Sequence, residues 1–146
     1  MKSLKNVAKN FKGPQAFRIG IGESATLLLR DQEPKELKRH TMNGKPIGTC
    51  KPKDCQGCAV NLPTKTDYLV LAHEKVIDDE TGVVEWQPRT IWCVGQQLAE
   101  LVAVVPDDMP AAIIICTGTA ETDKNGKTWC KKVWTLAADQ SEANNA

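Results

Sequence analysis

Apolar and polar positions alternate from Ala16 onward. Phe17, Ile19 and Ile21 fall on one side, and Arg18, Gly20 and Gly22 on the other. After Gly22-Glu23-Ser24 comes Ala25-Thr26-Leu27-Leu28-Leu29-Arg30. A period of two is the strand signature, so this stretch predicts two short strands, or one strand bent at its glycines. The run Tyr68-Leu69-Val70-Leu71-Ala72 predicts a buried strand, and Asp78 to Gly82 an acidic turn. Val83 to Trp86 and Thr90 to Val94 read as strand, interrupted near Pro88. They belong to two sheet edges, or the proline sits at a bulge. At Gln96 the period changes. Leu98, Leu101 and Val102 share one helical face up to Val104, bounded by Pro106 and Pro110. Ala111 to Cys116 predicts another buried strand. Asn125-Gly126 marks a hairpin, with Lys124 opposite Lys127 and hence Cys130 opposite Glu121, and Thr128 to Leu136 returns.

The flanks and the middle break this rhythm. Lys2, Lys5, Lys9 and Lys12 alternate with Leu4, Val7, Ala8 and Phe11 in a basic N-terminal arm over 1–14, closed by Gly13-Pro14. The tail over 138–146 is small and polar, and is expected to be disordered. Residues 31–66 hold few large apolar side chains, several lysines, and Pro34, Pro46, Pro52 and Pro63. So long a segment without a core of its own needs a staple. The order of elements predicts a mainly β protein: a small Greek-key barrel of the oligonucleotide-binding (OB) type over 15–137, with one helix and a stapled insert at 31–66.

Six cysteines change the picture. The chain of 146 residues suits one domain. It contains no run of about 18 apolar residues and no apolar core behind its basic start. A cytoplasmic location without a membrane partner is therefore expected, and there thiols stay reduced. Metal binding or simple burial then outranks disulfides. Cys55-Gln-Gly-Cys58 brings two thiolates to one ion from a tight turn, and Cys50 lies near enough to be a third ligand. His40 is the nearest candidate for the fourth, by loop closure, and His73 the second. The expectation is one structural Zn2+ per chain on His40, Cys50, Cys55 and Cys58. Cys93, Cys116 and Cys130 sit in strand patterns and read as ordinary packed thiols.

Charge is split along the chain. Residues 1–66 carry 13 Lys/Arg against 5 Asp/Glu, and residues 67–146 carry 6 against 13. Lys35, Lys38, Arg39, Lys45, Lys51 and Lys53 surround the cysteines; they are a solvated face, or they contact phosphates without reading sequence. Four tryptophans stand against two phenylalanines and one tyrosine. Arg89 lies between Trp86 and Trp92, and Lys131 and Lys132 lie between Trp129 and Trp134. Rings interleaved with cations are what single-stranded nucleic acid uses, although each Trp alone also suits a core. Trp86 and Trp92 share parity; Trp129 and Trp134 do not, so one of the latter pair faces in and one out. No Gly-x-Gly-x-x-Gly, P-loop, His-Glu-x-x-His or Gly-x-Ser-x-Gly motif occurs, and no enzymatic activity is expected.

The pattern His40-x9-Cys50-x4-Cys55-x2-Cys58, followed by strands with Trp, a Leu-rich helix and a final hairpin, resembles phage single-stranded-DNA-binding proteins. The T4-type protein shares the order His, Cys, Cys-x2-Cys, with other spacings, and smaller phage and prophage relatives are more similar in length and layout; the likeness covers the order of elements over about 17–136. It implies sequence-nonspecific binding of single-stranded DNA in replication or recombination, in a bacterial host cytoplasm, with zinc ordering the insert. Replication or recombination proteins would be further partners, but Asp139 and Glu142 are the only acids after Leu136, so an acidic recruiting tail is nearly absent. The alternative is a zinc-stabilised protein–protein adaptor.

Overall fold

The computed structural model describes residues 15–51 and 53–143; the basic arm over 1–14 lies outside the described residues. The described chain is mainly β. It runs β1 (Gln15–Ala16), β2 (Ser24–Arg30), β3 (Lys35–Met42), β4 (Lys45–Thr49), α1 (Gln56–Ala59), β5 (Thr64–Ile77), β6 (Val84–Cys93), α2 (Gly95–Ala103), β7 (Ala111–Thr122) and β8 (Thr128–Leu136). No helix among the described residues is long and apolar enough to cross a membrane.

One sheet runs in the order β1-β6-β5-β2-β7-β8, with the β3–β4 hairpin branching from β5. The sheet is not closed by a ladder between β6 and β8. Residues 15–23 cross that region instead. β1 pairs parallel to β6, the Phe17 N–H bonds Thr90 O at 2.8 Å, and the Phe17 ring lies 6.1 Å from that of Trp134 on β8. Farther along, Gly22 and Glu23 exchange backbone bonds with Gly118 of β7 at 2.9 Å. Only a glycine fits at 118, where a Cβ would run into the Gly20 carbonyl. The expected strand over 17–21 is therefore mostly an irregular crossing.

The core lies inside this curved sheet. Leu27, Val70, Ala72, Ile91, Cys93, Ile114, Cys116 and Trp134 are buried together, and α2 plugs the cluster with Leu101. Gln97 accepts the Val94 N–H at 3.1 Å, which starts α2 where the change of period predicts it. Burial pushes the Cys93 thiol up to about 11 and the Cys116 thiol up to about 12, consistent with inert packed cysteines.

Three expectations need correction. First, Val84 to Cys93 is one strand that passes straight through Pro88. Thr90 turns its carbonyl toward β1, so Pro88, two residues away, turns its nitrogen to the same outer edge and breaks no bond with β5. Second, the last hairpin slips by one: Cys130 stands opposite Ala120, and Trp129 opposite Glu121. The Asp123 carboxylate accepts from the Asn125 and Lys127 N–H groups at 2.8 and 2.9 Å, and Gly126 has φ 79°. The loop therefore takes one more residue than a two-residue turn. Third, the tail does not fray at Ala138. The Gln140 side chain donates to the Ile113 and Ala137 carbonyls and accepts the Ile113 N–H, all at 2.7 Å. Ala143 is buried in a second apolar cluster with Leu28, Ala111 and Ile113.

β5 is long enough to change partners along one edge. It pairs with β3 up to Leu69 and with β2 from Ala72. Leu71 falls in the fork. The Gln32 side chain fills it, accepting the Leu71 N–H at 2.8 Å and donating to Leu71 O at 2.7 Å.

Candidate metal centre and aromatic cleft

The segment expected to be irregular contains a hairpin. β3 and β4 join through Asn43-Gly44, both with positive φ, and β3 continues the sheet beside the first half of β5. This hairpin brings the chain back on itself: Cys50 N–H bonds Lys38 O at 2.8 Å. Asp54, with φ 54°, then turns the chain into the single turn of α1, which carries Gly57 and Cys58. From Lys35 to Leu62, His40 is the only buried residue among those described. The segment has no hydrophobic core, as its composition predicts. Its one buried side chain points at sulfur.

His40, Cys50, Cys55 and Cys58 place their ligand atoms within 4.8 Å of one another. His40 Nε2 lies 3.1 Å from Cys55 Sγ and 3.5 Å from Cys58 Sγ, and Cys50 Sγ lies 3.5 Å from Cys58 Sγ. The edges of a tetrahedron with metal–ligand bonds of 2.0 to 2.3 Å measure about 3.3 to 3.8 Å; the two 3.5 Å spacings match it and the 3.1 Å contact would open by a few tenths of an ångström around one four-coordinate ion. His40 Nδ1 lies 3.1 Å from Leu62 O. Donation to that carbonyl fixes the tautomer that leaves Nε2 free to ligate. Gly57 packs flat on the imidazole.

The three thiols and the imidazole hold their protons unequally. Hydrogen bonds from the backbone of Lys51 and Cys58 hold the Cys55 thiol down at about 6, so it ionises first. Cys50, then Cys55, push the Cys58 thiol up to about 11. Burial alone would lower the His40 pKa; the Cys55 sulfur and the Leu62 carbonyl outweigh it and hold it above its ordinary value. A cation bound among the sulfurs would let all three lose their protons together, because a coordinated thiol is deprotonated. The donor set can therefore hold a metal ion. His73 takes no part; it pairs within the sheet, opposite Leu28 and Pro88.

The expected nucleic-acid residues fall into three groups. Trp92, Trp129, Lys131 and Lys132 line one open cleft of ≈ 360 Å³ between the end of β6, the start of α2, and β8. Both tryptophans are 44% exposed, whereas Trp134 is buried below them. The cleft is not purely cationic: Glu100 and Glu121 also line it, and Glu121 lies 3.7 Å from Lys131. Trp86 and Arg89 lie elsewhere. Trp86 packs beside the second cluster under Lys75, and Arg89 faces Glu74 at 3.7 Å. Lys35, Lys38, Lys45, Lys51 and Lys53 are exposed on the metal segment, outside the cleft.

Arg39 joins the two regions, through a residue that sequence reasoning missed. Asp67 is wholly buried, and its Oδ2 accepts the Trp92 Nε1–H at 2.7 Å. The same oxygen lies 3.0 Å from Arg39 Nε, an ion pair whose N–H is not aligned as a hydrogen bond, and Oδ1 has no partner. The Arg39 guanidinium sits over the Trp92 ring, 5.3 Å from its centroid. No periodicity marks Asp67; it only opens the apolar run. Comparison with protein-family models, with curated proteins and with solved structures finds no match for this chain.

Proposed function

We propose that this chain is a non-catalytic, sequence-tolerant single-stranded-DNA-binding protein with a structural zinc ion, acting in the cytoplasm of a bacterial host. The observation that carries the reading is the cleft in which Trp92 and Trp129 are both exposed beside Lys131 and Lys132. Bases stack on such rings whatever their identity, at roughly 1–3 kcal/mol each, while cations follow the phosphates. The strand path β6-β5-β2-β7-β8, with α2 between β6 and β7, supports an OB-like barrel whose last edge is bridged by residues 15–23. Three thiolates and one imidazole favour zinc over harder ions. When bound, the ion would supply the cross-link that the coreless segment lacks, held by His40 Nε2 and the three sulfurs.

The test is titration of labelled oligo-dT at low and raised salt, with metal analysis of the same preparation. Quenched Trp fluorescence, affinity falling with salt and one equivalent of zinc are expected. Absence of binding at low salt would sink the DNA reading. It would favour the adaptor alternative, which the exposed Met42, Ile47 and Val60 around the metal segment support.

A further inference from the structure

We infer that Arg39 couples the metal centre to Trp92, so that ion occupancy sets the shape of the aromatic cleft. The inference rests on the proposed nucleic-acid surface only for its functional consequence; the coupling itself is a property of this chain. Arg39 and His40 are neighbours on β3, and a strand sends neighbours to opposite faces. His40 turns to the sulfurs and Arg39 turns to Trp92. One short piece of backbone therefore fixes both.

Backbone ladders to β5 and β4 hold that piece, but they run at the margin of the sheet and bury little side chain. Arg39 and His40 pair with Lys65 and Thr64 at the very start of β5. On the other side they face β4, which is exposed throughout, and the register shifts between His40 and Thr41. Among the described residues of the segment His40 is the only buried side chain, so the ligand bonds would be what fixes it by its side chains. Arg39 has a competing tether in Asp67, but that ion pair is poorly aligned and leaves Oδ1 without a partner. With the ion bound, Arg39 covers one face of Trp92 and aligns the ring. Without it, the end of β3 loosens, Arg39 withdraws, and the ring keeps only its bond to Asp67.

Arg39 is thus a positioning residue, acting on a base through Trp92. The test reads the Trp92 Nε1–H resonance in 15N-labelled protein, assigned with Trp92→Phe, as metal is removed by a chelator. In the native sequence the Trp92 signal moves, while that of buried Trp134 stays. In Arg39→Met, which still binds one equivalent of metal, the Trp92 signal is the same with and without the ion. Arg39→Gln, whose amide can still donate to Asp67 but brings no cation to the ring, replaces it if the methionine variant fails to fold, under the same criterion.

A Trp92 signal indifferent to metal overturns the inference. So does one that moves equally in the Arg39 variant, or a Trp134 signal that moves with it, which would mean the ion holds the whole fold. The oligo-dT arm follows. Metal removal and Arg39→Met each weaken binding by the same factor, about tenfold, and together they do no more than either alone. If Trp92 responds to metal but no form binds oligo-dT at low salt, the coupling stands and the nucleic-acid reading fails.

Discussion

Gly57 lies flat against the imidazole of His40, with no room for a side chain between them. The single turn that carries Cys58 therefore also presses the fourth ligand into place. Gly57→Ala should displace the ring and lower metal affinity by about 10- to 100-fold, the cost usually seen when a ligand's support is lost. Competition with a chromophoric chelator measures it. Unchanged affinity would mean that the imidazole does not ligate in this position.

Thiol chemistry should separate the three cysteines of the metal group from buried Cys93 and Cys116. In the metal-free protein Cys55, at about 6, is a thiolate at neutral pH and should react with iodoacetamide before Cys58, at about 11. Its advantage should fade as the pH falls through 6, because the reactive form is then protonated. Buried Cys93 and Cys116 should stay unmodified in the folded protein. Loading zinc should protect Cys50, Cys55 and Cys58 together. Mass spectrometry after a short alkylation pulse reads all of this, and rapid labelling of Cys55 in zinc-loaded protein would argue against its role as a ligand.

Much of the sheet was legible because its signals are periodic. The runs at Leu27–Leu29 and Ala111–Cys116 are buried strands; Tyr68–Ala72 is a strand buried at Val70 and Ala72 but exposed at Leu71, and the change of period at Gln96 does start a helix. The cysteine spacing named a group that the fold does assemble. What escaped depends on single side chains. Asn43-Gly44 was a readable turn signal, but the charged residues around it hide the strands it joins. Asp123 lengthens a loop and moves a whole register. Gln140 and Gln32 satisfy strand edges that no pattern of apolar positions reveals, and Asp67 is buried only because Trp92 and Arg39 converge on it.

The Gln32 carboxamide gives a direct measure of the fork in the sheet. Gln32→Ala leaves the Leu71 N–H and carbonyl without their partner where β5 passes from β3 to β2. The expected loss is about 1–3 kcal/mol in urea unfolding, because backbone groups at a strand edge lose their bonds together. Gln32→Glu should recover little at neutral pH: it keeps an acceptor for the N–H but sets a carboxylate against the Leu71 oxygen. A loss below about 0.5 kcal/mol for the alanine variant would show that solvent replaces the side chain at no cost.

The two exposed tryptophans of the cleft should behave unlike the other two. Trp129→Ala removes a ring that is 44% exposed and makes no side-chain hydrogen bond among the described residues, so stability should change little. Oligo-dT affinity should fall by roughly five- to 150-fold, the range for one lost stacked base. Trp86→Phe, in the half-buried position under Lys75, should leave affinity unchanged. Lys132→Ala should reduce the salt dependence of binding by about one phosphate contact. The contrast matters more than any single value, because a surface that binds by general charge would respond to the lysines and ignore the rings. Equal effects at Trp86 and Trp129 would remove the cleft as the binding surface and return weight to the lysines of the metal segment.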